Sequence, residues 1–482
     1  MKHTFKTAVF LVVLLAGASA EAQETWSLER CITYARENNL SVKQAEANVG
    51  ISVLSERQAK AARLPNVSGS FSAGEQFGRT IDPTSNQFST VATGYNSVDL
   101  NASVNLFNGG LIHHTVKQTA WDAQAARADA EQTVNVLALQ VAQAYVNILL
   151  FEEQLKNAQK RVAQSGEQLN NTQKLIDAGT LPAADRYNIL AQVAQNEQSA
   201  VQAQNSVELA YLALKQLLQL EPDYDLRIER PTVTIPNDAN PDAVTLTPLY
   251  GTALGTQPNV RAADFRIKSA NEGIYLAKAA YWPTVTLFAN LSSNYSTQFL
   301  DYNNGKFISE TLSPPVTIRV DDMDVEFQQY IQKYEYSRIP YFTQIDQNFG
   351  QLVGLNIQIP IYQNGRTRLS VERARLGVLT AELQQNQTRQ QLKNDIQTAI
   401  ANARAARLQL DAAQKTYDST KIAFENTEKR HTLGAVNTLD LTTARNNLDI
   451  AENNLTVARY DYLFKLKILD FYEGKPLRMN GQ

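Results

Sequence analysis

Residues 134–162 read VNVLALQVAQAYVNILLFEEQLKNAQKRV, and the apolar positions in this stretch recur every three or four residues. This spacing is typical of the seam between two helices in a coiled coil. The same register is found 255 residues later, from Ile396 to Tyr417. Many seam residues are alanine, which lets helices approach closely, whereas Gln, Asn, Lys and Glu occupy the other faces. Both stretches therefore predict helices that pack along one face and meet water on the other.

The helices around these seams are predicted to be long. Residues 111–177 and 366–433 contain no proline and one glycine each. At 1.5 Å per residue, each helix measures about 100 Å, which suits a coiled coil or a helical barrel but not the core of a globular domain. Each helix ends at a glycine-containing tip and returns as a shorter helix. The tips are predicted at 178–182 and 434–437, and the returning helices at 183–220 and 438–473.

Two parts of the chain match each other at constant offsets. Leu64-Pro65-Asn66-Val67 matches Trp282-Pro283-Thr284-Val285 at an offset of 218, and from residue 105 onward the offset is 255. The difference between the two offsets is 37. The second copy therefore carries a 37-residue insertion between Pro283 and Pro360.

The spacing of glycines supports this internal repeat. Gly110 and Gly179 lie 69 residues apart, and so do Gly365 and Gly434. Alanine-rich helices resemble each other through composition alone, but composition does not produce equal spacing. We therefore predict a first repeat at 21–222, a linker at 223–242, a second repeat at 243–474 and a tail at 475–482.

Each repeat is expected to open with a helix that is broken once. In the first repeat, Asn38-Asn39 ends one helix and Ser41 is the expected cap of the next. In the second repeat, Gln257-Pro258-Asn259 marks the same break.

Strands are predicted after these helices, because four segments of about ten residues alternate between apolar and polar side chains. They lie at about 66–75, 97–107, 284–294 and 349–361. This length suits an outer-membrane barrel, with apolar side chains toward lipid and polar ones toward a wet lumen. A soluble sandwich would need a second layer over its apolar face, and four strands do not supply one.

Four strands are too few to close a barrel alone. The smallest bacterial outer-membrane barrels have about eight strands, and open sheet edges do not occur in lipid. If these strands span a membrane, several subunits must share one barrel. The predicted fold is therefore mainly α with a β-barrel part, built from two repeats of long helical hairpins and β-hairpins in an oligomer.

The N-terminal residues predict export. Lys2 and Lys6 precede the apolar residues 8–16, and Ala18-Ser19-Ala20 is a small-residue cleavage site. Residues 1–20 are therefore expected to be a signal peptide that is removed. No later run of 18 apolar residues occurs, so no transmembrane helix is predicted. The net charge of −3 offers no basic surface for nucleic acid.

Residue patterns that usually indicate catalysis or metal binding are missing. Neither a His-Glu-x-x-His pattern nor a Gly-x-x-x-x-Gly-Lys loop occurs. We therefore expect no enzyme activity, no cofactor and no structural metal. His113-His114 is expected at the junction of barrel and helix rather than in a metal site. The single cysteine, Cys31, cannot form an internal disulfide and is expected to pack between helices.

The insertion contains an acidic group and an aromatic group, and the sequence allows two roles for each. Its acidic group could hold calcium but lacks an EF-hand pattern, so solvated charge on an exposed loop is the preferred interpretation. Its aromatic residues could form a girdle at the membrane interface or cover a pore mouth. The acidic group is Asp321, Asp322, Asp324 and Glu326, and the aromatic residues are Tyr330, Tyr334, Tyr336, Tyr341 and Phe342.

This order of elements resembles the TolC family of outer-membrane efflux proteins over nearly the whole mature chain. Each repeat has a strand hairpin, a helix of about 67 residues, a glycine-centred tip and a shorter returning helix. Each motif is weak by itself, and their order and spacing together are specific. The motifs are LPNV at 64–67, WPTV at 282–285, FNGG at 107–110, IYQNGR at 361–366, and Leu433-Gly434 followed by Leu439-Asp440-Leu441 and Ala444-Arg445.

The resemblance implies a homotrimer with a twelve-strand barrel in the outer membrane and a helical tunnel across the periplasm. It implies a passive duct, for which an inner-membrane pump and a periplasmic adaptor supply energy and select cargo. The adaptor would dock on the helical-hairpin tips. These tip residues are Gly179, Thr180, Leu181, Gly434, Ala435 and Val436.

The resemblance also implies a polar constriction near the tips, but this chain departs from the family's pattern. Asp440 matches an acidic ring position, and Asp185 matches an aspartate of the gate. The second acidic ring falls on Thr443, a gating arginine on Val436 and a gating tyrosine on His431. We therefore expect a gate formed by a different set of bonds. An acid in the first turn of a helix is also explained by the helix dipole alone.

Three functions are compatible with these features. The first is an outer-membrane duct that exports small molecules, and the second is a duct for type I protein secretion on the same scaffold. The third is a periplasmic coiled-coil interaction protein without a pore. The alternating strands distinguish the third function from the others, because lipid-facing strands require a membrane-spanning protein.

Overall fold

The computed structural model describes residues 25–81, 86, 88–90, 92–230, 240–321 and 323–475. The expected signal peptide, the centre of the expected linker, Asp322 and most of the tail lie outside this part of the chain. The described residues form two compact units. One, here called the sheet unit, comprises residues 55–118 and 271–376, and the other, the helical unit, comprises the described residues among 1–54, 119–270 and 377–482.

The first repeat consists of helices at both ends of a strand hairpin. Its elements are α1 (Leu28–Asn38), α2 (Leu40–Ala61), β1 (Asn66–Gln76), β2 (Thr80–Ile81), β3 (Phe88–Ser89), β4 (Thr93–Asn108), α3 (Leu111–Asp177) and α4 (Ala184–Leu218).

The second repeat follows the same order and adds several short elements. These elements are α5 (Leu246–Thr256), α6 (Pro258–Ala279), β5 (Thr284–Ser296), β6 (Lys306–Leu312), β7 (Val316–Val320), β8 (Met323–Phe327), β9 (Tyr330–Glu335), α7 (Tyr341–Gln347), β10 (Gly350–Gln358), α8 (Arg366–Thr432) and α9 (Thr438–Tyr472). Helices α3 and α8 have 67 residues each, and α4 and α9 have 35 each.

The main sheet has the strand order β1-β4-β5-β10. Gly69 of β1 pairs with Leu100 of β4, and Leu287 of β5 pairs with Leu355 of β10. Gly69 plus the offset of 218 gives Leu287, and Leu100 plus the offset of 255 gives Leu355, so the two pairs are equivalent in the repeat. The two hairpins therefore have the same register, and the prediction of a repeated hairpin is confirmed. Strands β4 and β5 join the hairpins, which leaves β1 and β10 as open edges of this sheet.

The insertion contains more regular structure than the sequence predicted. Strand β6 pairs with β9 and β7 with β8, where the sequence suggested only an exposed loop. These strands are short and exposed, so they lack the long alternating pattern that identifies a strand of the main sheet. Strand β10 ends at Gln358 rather than near 361, because Pro360 has no backbone N–H to donate to a ladder.

The break between α1 and α2 depends on Asn39 rather than on Ser41. The Asn39 side-chain oxygen accepts a hydrogen bond from the Ser41 backbone N–H at 2.9 Å, so Asn39 caps α2. Its side-chain nitrogen donates to the Leu217 carbonyl at 2.8 Å. Ser41 therefore lies inside the helix, and the expectation that it would be the cap is wrong.

One core cluster of the helical unit lies between α1, α3 and α4, and a second lies between α5, α6, α8 and α9. Cys31, Ile148, Leu214 and Leu218 are 0% exposed and belong to one cluster. Burial raises the pKa of the Cys31 thiol to about 12, and the predicted packing role of Cys31 is confirmed. By length and composition alone, α3 is the one helix among the described residues that could cross a membrane. Of the most apolar 18-residue stretch of α3, 44% is buried inside the chain. Helix α3 thus contributes to a packed core.

Both ends of the linker are held by charged side chains of the long helices. Arg230 donates to Glu152 of α3 at 2.9 Å, and the Glu152 carboxylate also accepts from the Tyr211 hydroxyl at 2.8 Å. At the other end, Arg407 of α8 donates to Asp242 at 3.1 Å. Positions 152 and 407 are equivalent in the two repeats but carry opposite charges. Each end of the linker therefore has its own partner.

Candidate functional site

The two hairpin tips share one backbone geometry. The Gly179 N–H donates to the Ile176 carbonyl at 2.9 Å, and the Thr180 N–H donates to the Leu175 carbonyl at 2.9 Å. Gly434 and Ala435 make the same two bonds to His431 and Arg430. The φ angles are +75° at Gly179 and +71° at Gly434, values that glycine adopts without steric cost. Both tips are therefore closed by a Schellman motif, which explains why glycine ends each long helix.

The tip side chains are largely exposed in the single chain. Leu433 is 82% exposed and Leu439 is 71% exposed. Thr180 is held locally, because its hydroxyl donates to the Leu175 carbonyl at 2.7 Å. Leu181 and Val436 are half-buried at the same turns. The tips thus present apolar side chains to the surroundings on a well-defined backbone.

The predicted acidic residues lie at the starts of the returning helices. Asp185 is in the first turn of α4, and Asp440 is in the first turn of α9. The Asn437 side chain caps α9 by accepting a hydrogen bond from the Asp440 N–H at 2.8 Å. Both carboxylates therefore lie where the partial positive charge of a helix N-terminus stabilises them.

The predicted gate residues form no ion-pair network within one chain in the part that the structure describes. In the part of the chain that the structure describes, no ion pair involves Asp185, His431 or Asp440. Thr443 donates its hydroxyl to the Leu439 carbonyl at 2.9 Å, a bond within its own helix. His431 is half-buried in the last turn of α8. Their role at a constriction remains a prediction.

Contacts between α9 and the first repeat were not predicted from the sequence. Gln168 of α3 donates to Thr442 at 3.4 Å, and Asn446 donates to Gln192 of α4 at 3.5 Å. Six residues after Asn446, Glu452 pairs with Lys160 at 3.6 Å. Residues 442, 446 and 452 lie on one side of α9, so a polar seam joins the two repeats. Gln and Thr are common on exposed helix faces, and no local pattern marks these as contact residues.

Asp449 is a half-buried acid within this polar seam. Burial raises the pKa of its carboxyl, and the positive charges of Arg161 and Arg445 act in the opposite direction. The Arg445 guanidinium also lies 4.4 Å from the centre of the Phe424 ring. The seam therefore contains a charge that is only partly compensated, about three turns from the tip.

The two histidines of α3 lie where the strand region meets the helix. The His114 side chain hydrogen-bonds Glu272 of α6, with 2.6 Å between Nδ1 and Oε2. Its ring stacks on Tyr275, with 4.7 Å between the ring centres and an interplanar angle of 10°. His114 thus fastens the start of α3 to the end of α6 inside the sheet unit.

Comparisons with known proteins agree with this arrangement. A profile of the outer membrane efflux protein family matches residues 31–219 and 344–474. The outer membrane efflux protein BepC of Brucella suis is 21% identical over 462 residues, which cover 95% of this chain and 87% of BepC. The outer membrane protein TolC of Vibrio cholerae is 23% identical over 352 residues, which cover 72% of this chain and 69% of TolC.

The fold is shared with solved structures. The Campylobacter jejuni CmeC outer membrane channel has a TM-score of 0.74 and 17% identity, covering 97% of this chain and 92% of that chain. The predictions of a TolC-like fold and of an outer-membrane location are confirmed. Membership of an efflux family also favours a channel over a periplasmic coiled-coil protein without a pore. The chain therefore belongs to the outer membrane efflux protein family and is an export channel subunit of the outer membrane.

Proposed function

We propose that three copies of this chain form one passive duct, through which an inner-membrane pump exports small molecules by way of a periplasmic adaptor. The observation that carries this proposal is the four-stranded sheet, in which the outer side of each edge strand, β1 and β10, has no partner strand in the described chain. In lipid both edges need partners, and other copies of the same sheet supply them.

The internal repeat gives the register of the contact between copies. Strands β4 and β5 join the two hairpins within one chain, and Ala102 pairs there with Ala289. We assume that β10 of one copy and β1 of the next pair in the same way. Adding the offset of 255 to Ala102 gives Ile357, and subtracting 218 from Ala289 gives Phe71, so these two residues should pair between copies. Both side chains are apolar and exposed, which fits a shared lipid-facing surface.

The polar face gives an independent check of this register. Asn101 pairs with Asn290, and their side chains share a hydrogen bond of 2.8 Å. The equivalent contact between two copies joins Asn356 of one copy to Ser72 of the next. Polar side chains thus meet polar ones and apolar side chains meet apolar ones, as a barrel with a wet lumen requires.

The number of copies follows from the width of the barrel. Two copies would give eight strands, and the interior of such a barrel is filled by its own side chains. Three copies give twelve strands and leave room for an aqueous lumen. A homotrimer is therefore the smallest assembly that can act as a duct.

Disulfide cross-linking tests the register and the oligomer together. The variant Ser72→Cys with Asn356→Cys, in a Cys31→Ser background, should form covalent dimers and trimers under mild oxidation of outer membranes. The matched control, Ser72→Cys with Leu355→Cys, places the second thiol on the opposite face of β10 and should remain monomeric on denaturing gels. Cross-linking in the control alone, or in neither variant, would contradict the proposed contact.

The tips are the proposed docking surface for the adaptor, because they are exposed and have the same geometry in both repeats. Thr180→Arg and Ala435→Arg, made together, should leave trimer assembly and ion conductance unchanged but abolish export in cells that contain the cognate pump. Export is measured as resistance to small toxic molecules and, separately, as secretion of protein into the medium. Loss of protein secretion with unchanged small-molecule resistance would favour the type I secretion function.

A further inference from the structure

The second repeat carries a long β-hairpin at 306–335 between β5 and β10, where the described part of the first repeat has only the two-residue strands β2 and β3. Strand β6 pairs with β9, and β7 pairs with β8 at the outer end. The hairpin leaves the main sheet after β5 and returns before β10. Because α6 ends just before β5 and α8 begins just after β10, the hairpin extends from the end of the sheet opposite those helices.

The outer half of this hairpin has one apolar face and one polar face. The apolar pairs are Val316 with Phe327, Ile318 with Val325, and Val320 with Met323. The polar face carries Thr317 opposite Glu326 and Arg319 opposite Asp324. The Arg319 and Asp324 side chains approach within 3.9 Å, so the charges of this face are partly neutralised among themselves.

The apolar face is uncovered in the described chain. Each of its six side chains is between 49% and 67% exposed. A two-stranded ribbon alone is marginally stable in water. An apolar patch on the order of several hundred Å² is also at the upper end of what monomeric proteins expose. The face therefore needs a partner.

A lipid bilayer does not suit this face. Each strand of the outer ribbon has one edge without a sheet partner among the described strands, and unpaired backbone groups do not occur in the hydrocarbon region. The face carries no charged group, so copies of it can meet without burying a charge. The copies proposed above provide that neighbour, because three hairpins would emerge at the same end of one barrel.

We propose that the apolar faces of three such hairpins pack against one another over the exit of the duct and close it as a cap. This inference rests on the proposed trimer. The apolar partner of each face is the same face of the other two copies, while the ribbon edges and the polar face remain in water.

A single substitution tests the cap in the full-length protein. Ile318→Cys, in the Cys31→Ser background, should form covalent dimers within the trimer on oxidation. Oxidation should also cause a loss of single-channel conductance that a reductant reverses. The adjacent variant Thr317→Cys, on the polar face, should show neither effect. Equal cross-linking of both variants, or none in Ile318→Cys, would overturn the cap.

A second pair of measurements separates failure of the cap from failure of the trimer. If Ser72→Cys with Asn356→Cys cross-links but Ile318→Cys does not, the trimer stands and the cap is wrong. If neither cross-links, the trimer itself is wrong. The double variant Ile318→Asp with Val325→Asp should place charges on the apolar face and raise the open fraction of the channel. A fluorophore at position 318 that reports burial in vesicle lipid would also contradict the cap.

Discussion

At the scale of the residue, equivalent positions of the two repeats adopt the same left-handed backbone conformation with different side chains. Helices α4 and α9 both end in a Schellman motif, closed by Gln219 in the first repeat and Gly474 in the second. Their φ angles are +59° and +80°. A side chain in the left-handed region costs roughly 1–2 kcal/mol, which glycine avoids. Gln219 offsets part of this cost, because its side-chain nitrogen donates to the Gln216 carbonyl at 2.8 Å.

Exchanging these two residues should change stability in opposite directions. Gln219→Gly should raise stability by up to about 1 kcal/mol, and Gly474→Gln should lower it by about 1 kcal/mol. A Cβ at position 474 would meet Thr256 at 3.4 Å, an ordinary contact, so the effect there is conformational. Apparent melting temperatures in detergent, compared at one heating rate, measure both. Two shifts of the same sign would contradict this account.

Asp440 is expected to act on permeating ions rather than on assembly. Asp440→Ala should weaken the cation preference of the channel and leave the trimer intact, because the carboxylate has no ion-pair partner among the described residues. Reversal potentials in a salt gradient across a planar bilayer measure the preference. The control Asp461→Asn removes an acid from the same helix about 30 Å away. Unchanged selectivity in Asp440→Ala would refute a role at the constriction.

At the scale of the element, the turn from strand to long helix requires two successive residues with positive φ. They are Gly109 and Gly110 in the first repeat and Asn364 and Gly365 in the second. Gly109 has a further constraint, because a Cβ there would lie 2.5 Å from the Ala279 carbonyl oxygen. Nothing lies within 4 Å of a Cβ at Gly365.

Alanine substitutions should separate these two constraints. Gly365→Ala should cost about 1 kcal/mol for backbone conformation alone. Gly109→Ala should cost a further 1–3 kcal/mol, roughly, because the backbone of α6 must shift. The yield of heat-resistant trimer in outer membranes measures the difference. Equal losses in the two variants would show that the contact with Ala279 is unimportant.

The charge of Asp449 should weaken the seam between α9 and the first repeat at neutral pH. Because burial raises its pKa, the folded chain favours the neutral carboxyl. The charged form therefore costs stability above the folded-state pKa, and this cost disappears as the pH falls below the unfolded-state value of about 3.9. Asp449→Asn should raise the apparent melting temperature near neutral pH, with a smaller gain toward about pH 4. Lower stability of the variant at neutral pH would mean that attraction to Arg161 and Arg445 dominates.

At the scale of the whole molecule, the alternation of side chains along the edge strand decides which surface meets lipid. Ile357→Lys should place a charge toward the bilayer and cost about 2–4 kcal/mol at mid-depth. The neighbouring variant Asn356→Lys faces the lumen and should be tolerated. The amount of trimer in the outer-membrane fraction measures both. Equal amounts of the two variants would place these strands outside the membrane.

The sequence alone determined the repeat, the long helices, their tips and the alternating strands, because each depends on local signals. The 69-residue glycine spacing and the 3–4 apolar seam are examples, and both require only the residues within one element. A strand boundary can also be predicted locally, because Pro360 lacks a backbone N–H and β10 ends two residues before it, at Gln358.

Only the tertiary structure decided which elements meet. The pairing of β4 with β5 identified β1 and β10 as the open edges, and the contact between Gln168 and Thr442 identified the seam that joins the repeats. The hairpin at 306–335 also required pairing information. The physical reason is that alanine-rich seams and alternating strands offer similar surfaces to several partners. The choice among those partners depends on packing between residues far apart in the chain, as with Gly109 against Ala279.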